Sequence, residues 1–437
     1  MTGRRVGNRM ILSIGTRKGL QRRPWSRRRC GRAIGSEPVG RTGIPEAKRR
    51  SGKPVPRTVG SGLRPKEYTI EEDEMAKGFT LSIYPWVYVA RFAEEWAEEY
   101  VEKPHKSPAE EAALDETHRE ELLAKRNSFP DLPLVNYTTQ YGMGCFEGMK
   151  AFPQKDGRLK LFRPDQNAAR FYRSMKGLMM PPFPQERFVE ASRQVVARNK
   201  KLGFAPGYDS AWERDDFSSG ESVYLRPFSY SEPAIGLGIA KHPFVVIVST
   251  PVGAYFAPGS SKAVVSEKVR AFPGGTGWIK CDSNYVVPIL EKKAAEAAGY
   301  METVFLDAAE HRYVEEGSSC NIFFLLKNDT LVTPALGDTI LPGITRSSIL
   351  KIASDILGVK TEERKISIDE AMEDAKECFV SGTAAGLSHL ESITMKGKTA
   401  CFGNGEMGEL SRSLLKTLKG IQYGKIEDRF GWMVDVE

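Results

Sequence analysis

Short apolar runs of strand composition alternate with amphipathic helical runs over most of this 437-residue chain, which restricts it to an α/β (α+β) fold. Residues 81–89, 135–152, 159–162, 222–227, 244–249, 303–306, 313–324 and 377–380 read as strands, rich in Val, Ile, Phe and Tyr and broken by Gly or Pro. Residues 166–175, 188–202, 286–298, 347–357 and 368–376 read as helices. Gly157 marks a hairpin turn, Gly358 closes a helix, and Ser367 with Glu370 has the spacing of a capping box. Residues 94–126 are highly charged with little apolar face, and are expected to be a solvated helical insertion. The Pro- and Gly-containing stretch 251–258 has the composition of a linker. It is expected to separate a smaller α/β domain, 75–250, from a larger one, 259–437.

Charge divides the chain differently. Residues 1–65 hold 18 Lys and Arg against two acids, Glu37 and Glu46, leaving 45 basic and 54 acidic residues for the remainder. The body is therefore mildly acidic and carries no nucleic-acid footprint. The tail is rich in Arg, Gly, Ser and Pro, and cannot bury enough apolar surface to fold alone. Its composition fits a transit peptide, a nucleic-acid-binding arm, or upstream sequence ahead of a true start at Met75. Glu71-Glu72-Asp73-Glu74, just before Met75, favours the last reading, because a purine run of the ribosome-binding kind can encode it. Six scattered cysteines and five isolated histidines show neither disulfide nor metal spacing, so no metal and a reducing, cytoplasmic setting are expected. No apolar run approaches the roughly 20 residues needed to span a membrane.

The chemistry gathers in the second half. Lys280 follows the turn Gly274-Gly275-Thr276-Gly277 and precedes the apolar helical run 286–298. Burial or a neighbouring cation can lower the pKa of a lysine held there until its amine forms an imine with an aldehyde. Glu316, at a Glu-Gly turn leading into an apolar strand, is oddly placed for mere solubility, and suits hydrogen bonding to a ring nitrogen. Arg170 shares a helix face with Asn167 and Ser174. The N–H groups of Ile344 and Thr345, at a helix start, form an anion seat. The turn Ser381-Gly382-Thr383-Ala384-Ala385 offers more N–H groups and a hydroxyl. Each feature alone reads equally as a surface lysine, a turn acid, a surface arginine or a plain loop; their company in one chain points to catalysis.

The runs 141–152, 161–165, Tyr224-Leu225-Arg226-Pro227, 274–285, Leu341-Pro342-Gly343-Ile344-Thr345-Arg346 and 381–385 occur in an order that resembles the branched-chain amino-acid aminotransferases, of the class-IV, fold-type-IV pyridoxal-phosphate group. The resemblance runs from about Tyr137 to the C-terminus, where Gln422-Tyr423-Gly424-Lys425 and Gly431-Trp432 also match. It implies pyridoxal 5'-phosphate as cofactor and transamination of Leu, Ile and Val with 2-oxoglutarate, in a homodimer or dimer-based oligomer. Lys280 would hold the cofactor and shuttle the proton at the substrate Cα; Glu316 would face the ring nitrogen and Tyr285 the ring oxygen. Arg170, Ile344, Thr345 and Thr383 would hold the phosphate. Tyr224, Ala384 and Ala385 would take the substrate carboxylate with Arg226 nearby, while Tyr141, Phe146 and Tyr285 would line an apolar slot for the side chain. The chain departs from the family in having Asp282-Ser283 where two glycines are usual, Gly386 where an acid is usual, and no CxxC pair. The competing readings are another class-IV enzyme, a D-amino-acid aminotransferase or aminodeoxychorismate lyase, and a cofactor- or nucleic-acid-binding protein without turnover.

Overall fold

The computed structural model describes residues 81–129, 131–253 and 261–437. The basic tail, Met75 and most of the expected linker lie outside them. Three sheets organise the rest: one of seven strands and two of five. The seven-stranded sheet is antiparallel throughout, and its long central pair, Ser222–Tyr230 with Phe244–Val252, keeps register over nine residue pairs. The helices Pro164–Gly177 and Gln185–Lys201 cover one face, where Phe171, Phe188 and Val195 are buried with Tyr88 and Ile247. The last strand, Met433–Asp435, returns to this sheet and pairs with Leu159–Phe162.

In the second sheet the strand Asn321–Leu326 pairs antiparallel with Ala375–Gly382. Both faces are covered, which is why it reads as an unbroken apolar run. Ile322, Phe324 and Val380 meet Val304 and Ile393 of the third sheet. Phe323, Leu325 and Phe379 meet Ile349 and Leu414, which belong to the helices Ile344–Asp355 and Glu409–Gln422. The C-terminal helix also reaches the first sheet, with Gln154 Nε2 donating to Gln422 O at 3.0 Å.

Two local expectations are corrected. Within the charged stretch 94–126, residues Trp96–Glu102 form an edge strand paired antiparallel with Trp86–Phe92. Its acids suit a sheet edge: Glu99 lies on the exposed side, whereas on the other side Trp96 enters the core and Glu98 Oε2 accepts from the buried Tyr88 hydroxyl at 2.5 Å. The helix after it, Glu116–Asn127, is tied down by Arg126, which is 2% exposed and donates to Pro104 O at 2.9 Å and Ile83 O at 3.2 Å. Within 135–152 the strand occupies only Met149–Pro153. Tyr137–Tyr141 is a short helix capped by the Asn136 side chain and ended by Gly142 at φ 64°, a conformation that glycine reaches without a Cβ clash.

Candidate active site

The lysine segment is fixed from two sides. Asn284 Nδ2 donates to Thr276 O (2.7 Å) and Ile279 O (3.0 Å), closing the glycine turn. Its backbone also lies along residues 144–146: Phe146 N donates to Lys280 O at 3.1 Å and Asp282 N to Gly144 O at 2.9 Å. Lys280 N donates in turn to Ser174 Oγ at 3.1 Å. With the main chain so held, Lys280 Nζ lies 2.7 Å from Tyr285 Oη and 4.7 Å from the centre of the Phe146 ring. The five-residue spacing places both side chains together because a 3-10 turn, Asp282–Tyr285, leads into the helix Val286–Ala297.

Glu316 is 2% exposed, in the strand Val314–Gly317. Its Oε1 lies 2.6 Å from Arg270 Nη1 and accepts from Leu341 N at 3.0 Å; its Oε2 accepts from Asn321 Nδ2 at 3.4 Å. Burial pushes its pKa up to about 7, against the opposing pull of Arg270, the Leu341 N–H and Lys280. The lysine is thus near enough for its charge to be felt at the acid.

The segment Leu341-Pro342-Gly343 joins the acid to the anion seat. Leu341 N binds Glu316, Pro342 O accepts from Arg170 Nη1 at 3.1 Å, and Gly343 caps the helix Ile344–Asp355. The helix begins three residues earlier than expected, so Ile344 and Thr345 are its first two residues, whose N–H groups have no acceptor within the helix. Arg170 is held by Glu147, with Nε 2.7 Å from Oε1 and Nη2 2.6 Å from Oε2, and Asn167 Nδ2 donates to the same acid at 2.8 Å. Ile344, Thr345 and Thr383 line one small cavity with Asn167 and Lys150.

Thr383 also lines a second, larger cavity that holds Lys280, Tyr285, Phe146, Tyr224, Arg226 and Ala384. Here Arg226 donates to Tyr224 Oη at 3.0 and 3.3 Å and lies over the Phe146 ring at 4.8 Å. Gly148 leaves room for the Tyr224 hydroxyl, which a Cβ would overlap. Ala385 follows Ala384 in the turn before Gly386 and does not line either cavity. Tyr141 stands apart: it ends the short helix, is 40% exposed and lines neither cavity.

Sequence reasoning missed four of these side chains. Glu147 and Arg270 are the buried counter-charges of Arg170 and Glu316, Asn321 orients Glu316, and Lys150 Nζ donates to Ala384 O at 2.6 Å. A charged residue inside an apolar run, as at Glu147 and Lys150, was the available signal. Arg270 lay in a stretch without period.

A primary amine in one cavity, a helix-start anion seat in another that shares Gly148 and Thr383 with it, and a buried acid that feels the charge of the amine suit an aldehyde-bearing, phosphorylated pyridine ring. Among the described residues no cluster of three His, Cys, Asp or Glu side chains is placed to hold a metal ion. The family profile described as Amino-transferase class IV matches residues 144–393. Branched-chain-amino-acid transaminase 1 of Bacillus subtilis (strain 168) is 38% identical over 306 residues, covering 68% of this chain and 82% of its own. The branched-chain aminotransferase of Thermoproteus uzoniensis, solved with norvaline, superposes with a TM-score of 0.60 at 28% identity, over 70% of this chain and 95% of its own. That of T.th., complexed with N-(5'-phosphopyridoxyl)-L-glutamate, gives 0.59 at 28% identity, over 70% and 94%.

The chain belongs to the class IV aminotransferases. Its fold is the fold-type-IV arrangement of the solved branched-chain enzymes.

Proposed function

We propose that this protein is a pyridoxal-phosphate-dependent transaminase that exchanges the amino group of branched-chain L-amino acids with 2-oxoglutarate, giving branched 2-oxo acids and L-glutamate. The observation that carries the reading is the Lys280–Tyr285 pair, 2.7 Å apart, in one cavity with Tyr224, Arg226, Thr383 and Ala384. The relatives that bear the same name add to it, as does the solved complex with a phosphopyridoxyl amino acid.

Pyridoxal 5'-phosphate, when bound, supplies the aldehyde that takes the substrate amine and the ring that accepts the electron pair of the broken Cα–H bond. The chain supplies the rest. Lys280 is the base and acid that moves the proton at the substrate Cα, and Tyr285 positions its amine. Glu316, anchored by Arg270 and Leu341 N–H, sets negative charge at the ring nitrogen. The N–H groups of Ile344 and Thr345, the Thr383 hydroxyl and Arg170 hold the phosphate. Tyr224 and the 384–385 turn take the α-carboxylate, with Arg226 nearby. Phe146 and Tyr285, whose rings lie 5.0 Å apart, present an apolar wall to a branched side chain. Such a wall separates Leu, Ile and Val poorly, since a methylene is worth only about 1–3 kcal/mol.

The same reading places the site between parts 75–250 and 259–437, in a cytoplasmic protein acting as a homodimer. Leu134, Val135, Ile235 and Leu237 support the dimer: they are exposed apolar side chains on two segments joined by Ala234 N donating to Val135 O at 3.0 Å. Among the described residues no helix is long and apolar enough to cross a membrane.

The test is side-by-side turnover of L-leucine, L-isoleucine, L-valine and D-alanine with 2-oxoglutarate. The branched L-amino acids should react, and Lys280→Ala should lower their rate at least about 10³-fold. Preference for D-alanine, or an undiminished Lys280→Ala rate, would refute the proposal.

A further inference from the structure

The cavity that holds Lys280 and Tyr285 contains a carboxylate to which the transaminase reading gives no task. Asp282 lines it together with Phe146, Tyr224 and Arg226. Gly144 leaves the space this side chain needs, since a Cβ there would overlap Asp282 Oδ2. The Asp282 N–H to Gly144 O bond, 2.9 Å, fixes the two segments in that relation. Among the described residues the carboxylate has neither a hydrogen bond nor an ion pair, so it is not spent on holding the fold. Arg226 is the cation whose field reaches it, and the guanidinium in turn touches Tyr224 and Phe146 rather than an acid. Asp282 and Arg226 thus face the same cavity as an anion and a cation that are not directly paired.

We propose that Asp282 is a specificity-determining residue: its negative charge offsets that of Arg226 in the cavity and disfavours substrates with a second carboxylate relative to those with an uncharged branched side chain. The inference rests on the transaminase reading and deepens it. Every amino acid and 2-oxo acid carries an α-carboxylate, so the effect of Asp282 on that group cancels from a ratio of affinities. A distal carboxylate does not cancel. Two charges about 7 Å apart at an effective dielectric near 20 interact strongly enough for a difference of roughly 10- to 50-fold. The dicarboxylate partner remains a substrate because Arg226 opposes the repulsion; Asp282 sets how weakly it is held.

The charge is also adjustable. Burial pushes Asp282 up to about 6, with Arg226 opposing the rise. Facing the same cavity are Lys280 and Tyr285 from its own segment, Tyr224 and Arg226 from the strand Ser222–Tyr230, Lys292, Lys293 and Glu296 from the helix Val286–Ala297, Arg126 from the helix Glu116–Asn127, and Lys103; Glu296 is paired with Lys293 at 3.1 Å. Glu316, pushed up to about 7, acts on both kinds of ligand alike. Lowering the pH through 6 removes the negative charge, and dicarboxylate affinity should rise relative to that of a monocarboxylate.

The test uses the cofactor-loaded protein and equilibrium binding by calorimetry of glutarate and of 4-methylpentanoate. In Asp282→Asn the preference for glutarate over 4-methylpentanoate should increase about 10-fold or more over wild type at pH 8. In wild type the same preference, with both affinities corrected for protonation of the free ligands, should climb between pH 8 and pH 5, a series that needs no variant to fold, while in Asp282→Asn the corrected preference stays level. If L-leucine is transaminated and both ligands bind, but the preference moves neither with the substitution nor with pH, this inference is wrong and the transaminase reading stands. If neither ligand binds and L-leucine is not transaminated, both are wrong.

Discussion

At Glu316 three donors converge on a carboxylate that burial disfavours. A carboxyl group whose folded-state pKa is raised from 4.5 to about 7 binds its proton more tightly when folded. Its contribution to stability is therefore greatest at low pH and is lost as pH rises from 4.5 through 7. Two and a half pH units correspond to about 3 kcal/mol. Without cofactor, Glu316→Gln has no such loss, so its stability relative to wild type should improve by about that amount from pH 4.5 to pH 8, as read by urea denaturation at each pH. Parallel pH curves for the two proteins would show that the acid ionises freely. The sequence displayed Glu316 and Lys280 because a turn and a glycine run marked them, whereas Tyr285 came only with the family resemblance. It hid Arg270 and Glu147, because a buried counter-charge is defined by a partner far along the chain.

Among the elements, the edge strand Trp96–Glu102 shows how charge can conceal structure. Trp96 is buried and Glu99, on the opposite side, is exposed, while Glu98 accepts from the buried Tyr88 hydroxyl, so acids that suggest a solvated helix here belong to a sheet edge. Trp96→Ala should cost about 3–5 kcal/mol, whereas Glu99→Ala, on the exposed side, should change stability by less than about 0.5 kcal/mol. Equal, small effects in chemical denaturation would return the stretch to solvent. Glu147 tests the packing of the helix Pro164–Gly177 on the site. It is fully buried against Arg170, and Glu147→Gln should lose about 3–5 kcal/mol by leaving that guanidinium unpaired. A stability equal to wild type would mean that Arg170 finds another partner. Helices with a capping residue and a clear apolar stripe were legible to within a few residues. The short helix Tyr137–Tyr141 was not, because five residues are too few to show a period and its closing Gly142 reads equally as a glycine in a strand.

The whole molecule brings Phe146, Tyr224, Arg226, Lys280 and Tyr285 around one cavity and Asn167, Ile344 and Thr345 around another, with Gly148 and Thr383 lining both, although they lie on separate elements. Its α/β character was plain from alternating runs; the return of Met433–Asp435 to the first sheet was not, since strand order depends on contacts that no local pattern encodes. At this scale the proposed homodimer predicts that Leu237→Glu, at a side chain 92% exposed, lowers the mass seen by sedimentation from dimer toward monomer. A wild-type monomer would count against it. The account stands or falls on Lys280 as the amine that carries the cofactor. Borohydride reduction of the pyridoxal-phosphate-loaded protein, followed by peptide mapping, should find the reduced pyridoxyl group on the peptide containing Lys280 and lose it when L-leucine is added first. A label on another lysine, or on none, would contradict it.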